Sequence, residues 1–136
     1  MIAVDTNVVV RILTGDHPGQ TEAARLLFDS GTVWVAKTVV LETAWVLSKL
    51  YGFDSTAVFS ALRKLAGLPN VRIEDEVAVI GAIELASHGM DFGDAAHLSS
   101  RPDAAPFYSF DVKLVRRAAQ AGAGRVLLAG EDYIAT

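Results

Sequence analysis

Short apolar runs alternate with helical patterns along this chain, and that alternation restricts its fold more than any other feature. The runs Ile2–Val4, Val33–Ala36, Val71–Ile73, Phe107–Phe110 and Arg125–Leu128 are too short for helices and read as strands. Between them lie segments with helical apolar spacing: Val8–Leu13, Thr21–Ser30, a stretch from Thr38 as N-cap to Tyr51, Asp54 or Ser55 to about Gly67, Asp75–Ser87, Phe92–Ser100 and Val112–Ala121. Strands alternating with helices predict an α/β three-layer sandwich. Its central sheet would be mostly parallel, of about four to five strands, with helices on its faces. At 136 residues the chain suits a single domain over residues 1–136, with the tail 130–136 left without an assignment. No repeat or linker interrupts it.

Four acidic residues fall where the predicted strands end: Asp5, Glu42, Asp94 and Asp111. In an open parallel sheet, functional groups collect at the carboxyl ends of the strands. Carboxylates gathered there repel one another, and a hard cation relieves the repulsion. The pattern points to a Mg²⁺ or Mn²⁺ site and to phosphodiester chemistry. Among carboxylates so crowded, at least one is expected to have a raised pKa without metal.

Each acid also has a local explanation. Asp5, Asp91 and Asp111 each precede a helical pattern and can serve as N-caps. Asp94, three residues after Asp91, suits the first turn of a helix electrostatically. Glu42 fits no cap. It lies with Lys49 on a narrow polar strip of a helix apolar almost all round, so it is either a solvated residue or a carboxylate on a well-anchored element. Capping accounts for several of the acids singly. It does not account for four of them converging on strand ends in one small domain. Thr6, Asn7 and Ser109 lie beside these acids and can orient a water or a phosphate oxygen.

The formal charge of −4 excludes binding of nucleic acid by a bulk positive field, but not a metal-dependent nuclease. Cationic contacts would then come from Arg11, Lys37, Arg101, Lys113, Arg116 and Arg117, with Arg116 foremost. The chain has no cysteine, which excludes disulfides and thiolate metal sites and fits a cytoplasmic location. The opening Met1-Ile-Ala-Val-Asp has no basic region of a secretory signal. Lys37, Glu42 and Lys49 break the most apolar stretch, which argues against a membrane span. The two Trp and six Phe read as core, His97 as core or as a partner of Asp94, and His17 and His88 as solvated loop residues.

The segments Ile2-Ala3-Val4-Asp5-Thr6-Asn7, Val39–Leu47, Asp91-Phe92-Gly93-Asp94-Ala95-Ala96-His97-Leu98 and Tyr108-Ser109-Phe110-Asp111 together resemble PIN-domain proteins. In particular they resemble the VapC-type ribonuclease toxins of bacterial toxin–antitoxin pairs. The resemblance runs from Ile2 to about Leu128. It implies a metal-dependent endoribonuclease in which Asp5, Glu42, Asp94 and Asp111, with Asp91 as a possible addition, hold Mg²⁺ or Mn²⁺ for hydrolysis by metal-activated water. It also implies an RNA substrate, a cognate antitoxin protein that enters the acidic cleft, and a homodimer. An apolar fraction of 51% agrees with some surface being covered by a partner.

Two other readings stand beside this one. One is a PIN-like module that binds RNA or protein without cutting. The other is a phospho-receiver-type signalling domain, which would want an Asp at a mid-chain strand end that this sequence does not offer.

Overall fold

In a computed structural model of the chain, residues 1–103 and 105–130 are described here. Of the tail 130–136, residues 131–136 lie outside the described residues. The strands are β1 (Ile2–Ala3), β2 (Val33–Val35), β3 (Val71–Ile73), β4 (Phe107–Ser109) and β5 (Val126–Leu128). The helices are α1 (Thr6–Thr14), α2 (Pro18–Asp29), α3 (Lys37–Lys49), α4 (Ser55–Ala66), α5 (Glu76–Ser87), α6 (Phe92–Ser99) and α7 (Val112–Gln120). The chain is mixed α/β with parallel pairing throughout, as the alternation predicts. The ladders form a three-stranded sheet, β1-β2-β3, and a two-stranded sheet, β4-β5, rather than one ladder.

The chain divides into two compact units, Met1–Ile80 and the residues from Gly81 onward. The first holds β1-β2-β3, registered Ile2 to Val33 and Val33 to Val71. Helix α1 packs on α2 and α3, α3 on α4, and α4 on β3. Val9, Val33, Val35, Leu47 and Leu65 are wholly buried here. Each such side chain is worth about 1.5–3 kcal/mol over an exposed one. Val33 and Val35 point inward while Trp34 between them is partly exposed, as the period of two requires. The second unit holds β4 and β5, which pair from Phe107–Val126 to Ser109–Leu128, with α7 packed against both. Its buried residues include Ile83, Met90, Ala95, Leu98, Leu114 and Ala118.

The predicted cap at Thr38 is corrected. Helix α3 begins at Lys37 after Ala36, which supplies no side-chain cap. The Lys37 amide instead donates to Glu74 Oε1, 2.8 Å away at the end of β3. A carboxylate from a neighbouring strand end satisfies the orphan amide, so no local Ser or Thr is needed. His17 is also more than a solvated loop residue. It caps α2, its Nδ1 accepting from the Gln20 amide at 3.1 Å.

Two of the four acids do not sit at strand ends. Asp5 and Asp111 lie two residues beyond β1 and β4, but Glu42 is well inside α3 and Asp94 is in the first turn of α6. No strand precedes α6 directly; Met90 and Asp91 belong to neither a strand nor a helix.

Candidate active site

In the first unit, Asp5 leaves β1 in an extended conformation and caps α1, its Oδ1 accepting from the Val8 amide at 3.3 Å. The next residue, Thr6, is buried, and its hydroxyl donates a hydrogen bond to Glu42 Oε1. A hydroxyl donating to a carboxylate makes a charge-assisted bond, shorter and stronger than a neutral one. It fixes the Glu42 side chain from a different helix, across 36 positions of sequence. Glu42 is thus not a merely solvated strip residue. Asn7 is exposed beside it in sequence.

In the second unit, Asp91 and Asp111 act on Asp94. Asp91 caps α6, its Oδ2 accepting from the Asp94 amide at 3.1 Å. Asp111 caps α7, its Oδ1 accepting from Lys113 N at 2.9 Å and Leu114 N at 3.2 Å. Asp94 is partly buried. Its carboxyl is pushed above the usual range first by burial, then by the charges of Asp91 and Asp111, while His97 offsets part of the rise. Asp94 is therefore the crowded acid of this set. Ser109 Oγ accepts from the Asp111 amide at 3.0 Å and shapes the turn that presents Asp111. His97 is exposed, which removes the core reading and leaves its charge acting on Asp94.

Gly93 keeps the Asp91 cap in place. A Cβ there would lie 3.1 Å from Asp91 Oδ2, the oxygen that accepts from Asp94. The low helix propensity of glycine in the Asp91–Asp94 turn thus has a local steric reason.

Most of the proposed RNA-contacting cations are engaged within the fold. Arg11 donates to Gln20 and Tyr51 and pairs with Asp16; Lys37 pairs with Asp75 at 2.9 Å. Arg101 donates to the Gly124 and Arg125 carbonyls, and Arg117 to the Gly89 carbonyl. The side chains of Lys113 and Arg116 are exposed on α7 and make no hydrogen bond or ion pair among the described residues.

All these donors are hard carboxylate oxygens, the chemistry suited to Mg²⁺ or Mn²⁺. The like-charge crowding at Asp94 is of the kind a cation relieves. Among the described residues, no three acidic or histidine side chains are gathered tightly enough to hold an ion as they stand. The donor chemistry fits a hard divalent ion, while the side chains are not drawn into a cage.

Parallel strands alternating with helices make this a mixed α/β protein. The family model of the PIN domain matches residues 2–100, and the chain belongs to that family. Membership sets aside the phospho-receiver alternative. Searches of curated proteins and of solved structures gave no significant match. No helix among the described residues is long and apolar enough to cross a membrane.

Two aromatic residues were misread from sequence. Trp45, expected in the core, is 56% exposed, and Phe110 is 85% exposed. Position gave the available signal for Phe110, since it directly precedes a candidate site acid.

Proposed function

We propose that this chain is a metal-dependent endoribonuclease, acting as the toxin of a toxin–antitoxin pair. The observation that carries the reading is membership of a nuclease-type family, supported by the partly buried Asp94, whose carboxyl is pushed up by burial and by the charges of Asp91 and Asp111. Asp5, Glu42, Asp94 and Asp111, with Asp91 as an additional donor, would hold Mg²⁺ or Mn²⁺. The ion would activate water and neutralise the phosphate.

The chain's own residues supply position. Thr6 holds Glu42 in one orientation. Asp91 and Asp111 fix the starts of α6 and α7, each through one carboxylate oxygen, leaving the other for a ligand. Lys113 and Arg116 are the cations left to meet RNA phosphates. Exposed Leu26, Trp45, Leu50 and Val77 support protein partners, the antitoxin and a second copy of the chain. The cytoplasm is the compartment in which such a pair would work.

A second reading is a PIN-like module that binds RNA without cutting; the carboxylates of the described residues, as they stand, are not drawn together around an ion. Incubating antitoxin-free protein with total RNA in Mg²⁺, Mn²⁺ or EDTA, beside Asp94→Asn, separates the two. Discrete fragments that require metal and vanish in the variant support the nuclease. Retention of RNA without cleavage in either metal supports the binding module.

A further inference from the structure

Phe110 stands out on the second unit because its ordinary structural role is unfilled. Asp111 is the N-cap of α7, so Phe110 holds the position before the cap and Val115 is the fourth residue of the helix. An apolar residue before an N-cap commonly packs on that fourth residue and fixes the entry of the chain. Phe110 does not, because 85% of its surface is exposed. The turn is held by polar bonds instead. Ser109 Oγ accepts from the Asp111 amide, and Asp111 Oδ1 accepts from Lys113 and Leu114. The ring is therefore not needed to build the turn.

Its neighbours say what it would meet. Phe107 and Ser109 are partly buried, whereas Tyr108 is 50% exposed and the outward phase of β4 runs on to Phe110. Asp111 follows directly, and its charge reaches Asp94. Further along the chain, the exposed Lys113 and Arg116 lie three apart on one face of α7. An exposed aromatic residue followed at once by a helix that carries exposed cations is the combination that holds single-stranded nucleic acid, with the ring against a base and the cations on the backbone. A purely apolar protein contact would not call for the two cations.

We propose that Phe110 is a base-stacking residue for single-stranded RNA, placing a nucleotide next to the phosphodiester presented to Asp111 and Asp94, while Lys113 and Arg116 hold the backbone. The proposal rests on the nuclease reading given above and adds to that site a residue that positions the substrate. Phe110 is a positioning residue and takes no part in proton or metal chemistry.

The test is binding of a fluorescein-labelled single-stranded oligoribonucleotide of random sequence, followed by anisotropy in EDTA. Wild type, Phe110→Ala, Phe110→Leu and Phe110→Trp are compared. Alanine and leucine are expected to weaken binding roughly 5- to 100-fold, and tryptophan to keep it within about twofold. An oligomer of abasic nucleotides should bind wild type and Phe110→Ala alike, since it has no base to stack. Equal binding of natural RNA by wild type and Phe110→Ala overturns the proposal. So does full retention by leucine, which would indicate apolar area rather than an aromatic face. Sedimentation of the RNA-free proteins adds a further check, because a dimer that dissociates in Phe110→Ala would make the residue a protein contact and also overturn it. Cleavage assays in Mg²⁺ and Mn²⁺ keep the two readings apart. Phe110-dependent binding with no cleavage sinks only the nuclease reading. Cleavage with KM unchanged in Phe110→Ala sinks only the stacking role, and wild type that neither binds nor cuts RNA sinks both.

Discussion

The acids of the two units are held in opposite ways. In the first, the Glu42 carboxylate receives a hydroxyl from buried Thr6, so a neutral donor stabilises its charge. In the second, Asp94 is partly buried near Asp91 and Asp111, with only an exposed His97 to offset them. One arrangement is complete as folded; the other is electrostatically incomplete. The difference teaches that a cation is worth most to the second unit, where burial and repulsion both oppose the charged form.

Asp94→Asn tests this comparison with the largest expected effect. Metal-dependent RNA cleavage should fall on the order of 100-fold or more, the scale for removing a group that stabilises developing charge. Stability of the metal-free protein should move the other way. A raised carboxyl pKa contributes stability that is fully present below the unfolded value of 3.8 and is lost as pH rises through the folded value. The metal-free wild type should therefore weaken over that rise, and Asp94→Asn should abolish this limb of the urea midpoint against pH. An unchanged limb in the variant would show that Asp94 is not the strained acid.

Thr6→Val tests the other half. It keeps the shape at a buried position and deprives Glu42 of its donor. Because Glu42 is itself exposed, the expected loss is about 1 kcal/mol in urea unfolding. Cleavage should fall roughly 10-fold through the looser carboxylate. Removing a partner would thus destabilise the first unit, whereas removing a charge would relieve the second. A neutral Thr6→Val would place both acids in the same class.

Thr43 supplies a control on the same helix as Glu42. Its side chain is wholly buried and its hydroxyl has no hydrogen-bond partner among the described residues. An unsatisfied buried hydroxyl costs about 1–3 kcal/mol, so Thr43→Val should be neutral or up to about 1 kcal/mol stabilising. Cleavage should be unchanged. Opposite outcomes for Thr6→Val and Thr43→Val in the same denaturation assay would tie the effect to the Glu42 bond rather than to loss of any threonine.

The elements were legible because each short apolar run and each helical pattern is locally consistent. Asp54, Asp91 and Asp111 all cap helices at the residues their sequence marks. What sequence missed depends on partners distant along the chain. Glu74 replaces a cap at Thr38, and Thr6 reaches Glu42; neither link leaves a periodic trace. Arg11 and Lys37 looked like free cations until their carboxylate partners were brought to them by the fold. Phe110 and Trp45 read as core because large apolar side chains are usually buried, but hydrophobicity alone does not decide which of them stay on the surface.

Asp75 gives the smallest effect and the sharpest contrast with Asp94, being the same residue type shifted in the opposite direction. A hydrogen bond from Lys37 at 2.9 Å, reinforced by its charge, holds Asp75 below the ordinary value, and burial only partly opposes it. A lowered pKa gives stability that is present above the unfolded value of 3.8 and is lost as pH falls through the folded value. Lys37→Met should therefore flatten the acid side of the urea midpoint against pH while leaving neutral stability almost unchanged. The pair is exposed, so added salt should shrink the difference between variant and wild type. If Lys37→Met instead lowers stability equally at every pH, the side chain matters through something other than its charge, and the pair with Asp75 contributes little, since methionine keeps the amide that meets Glu74.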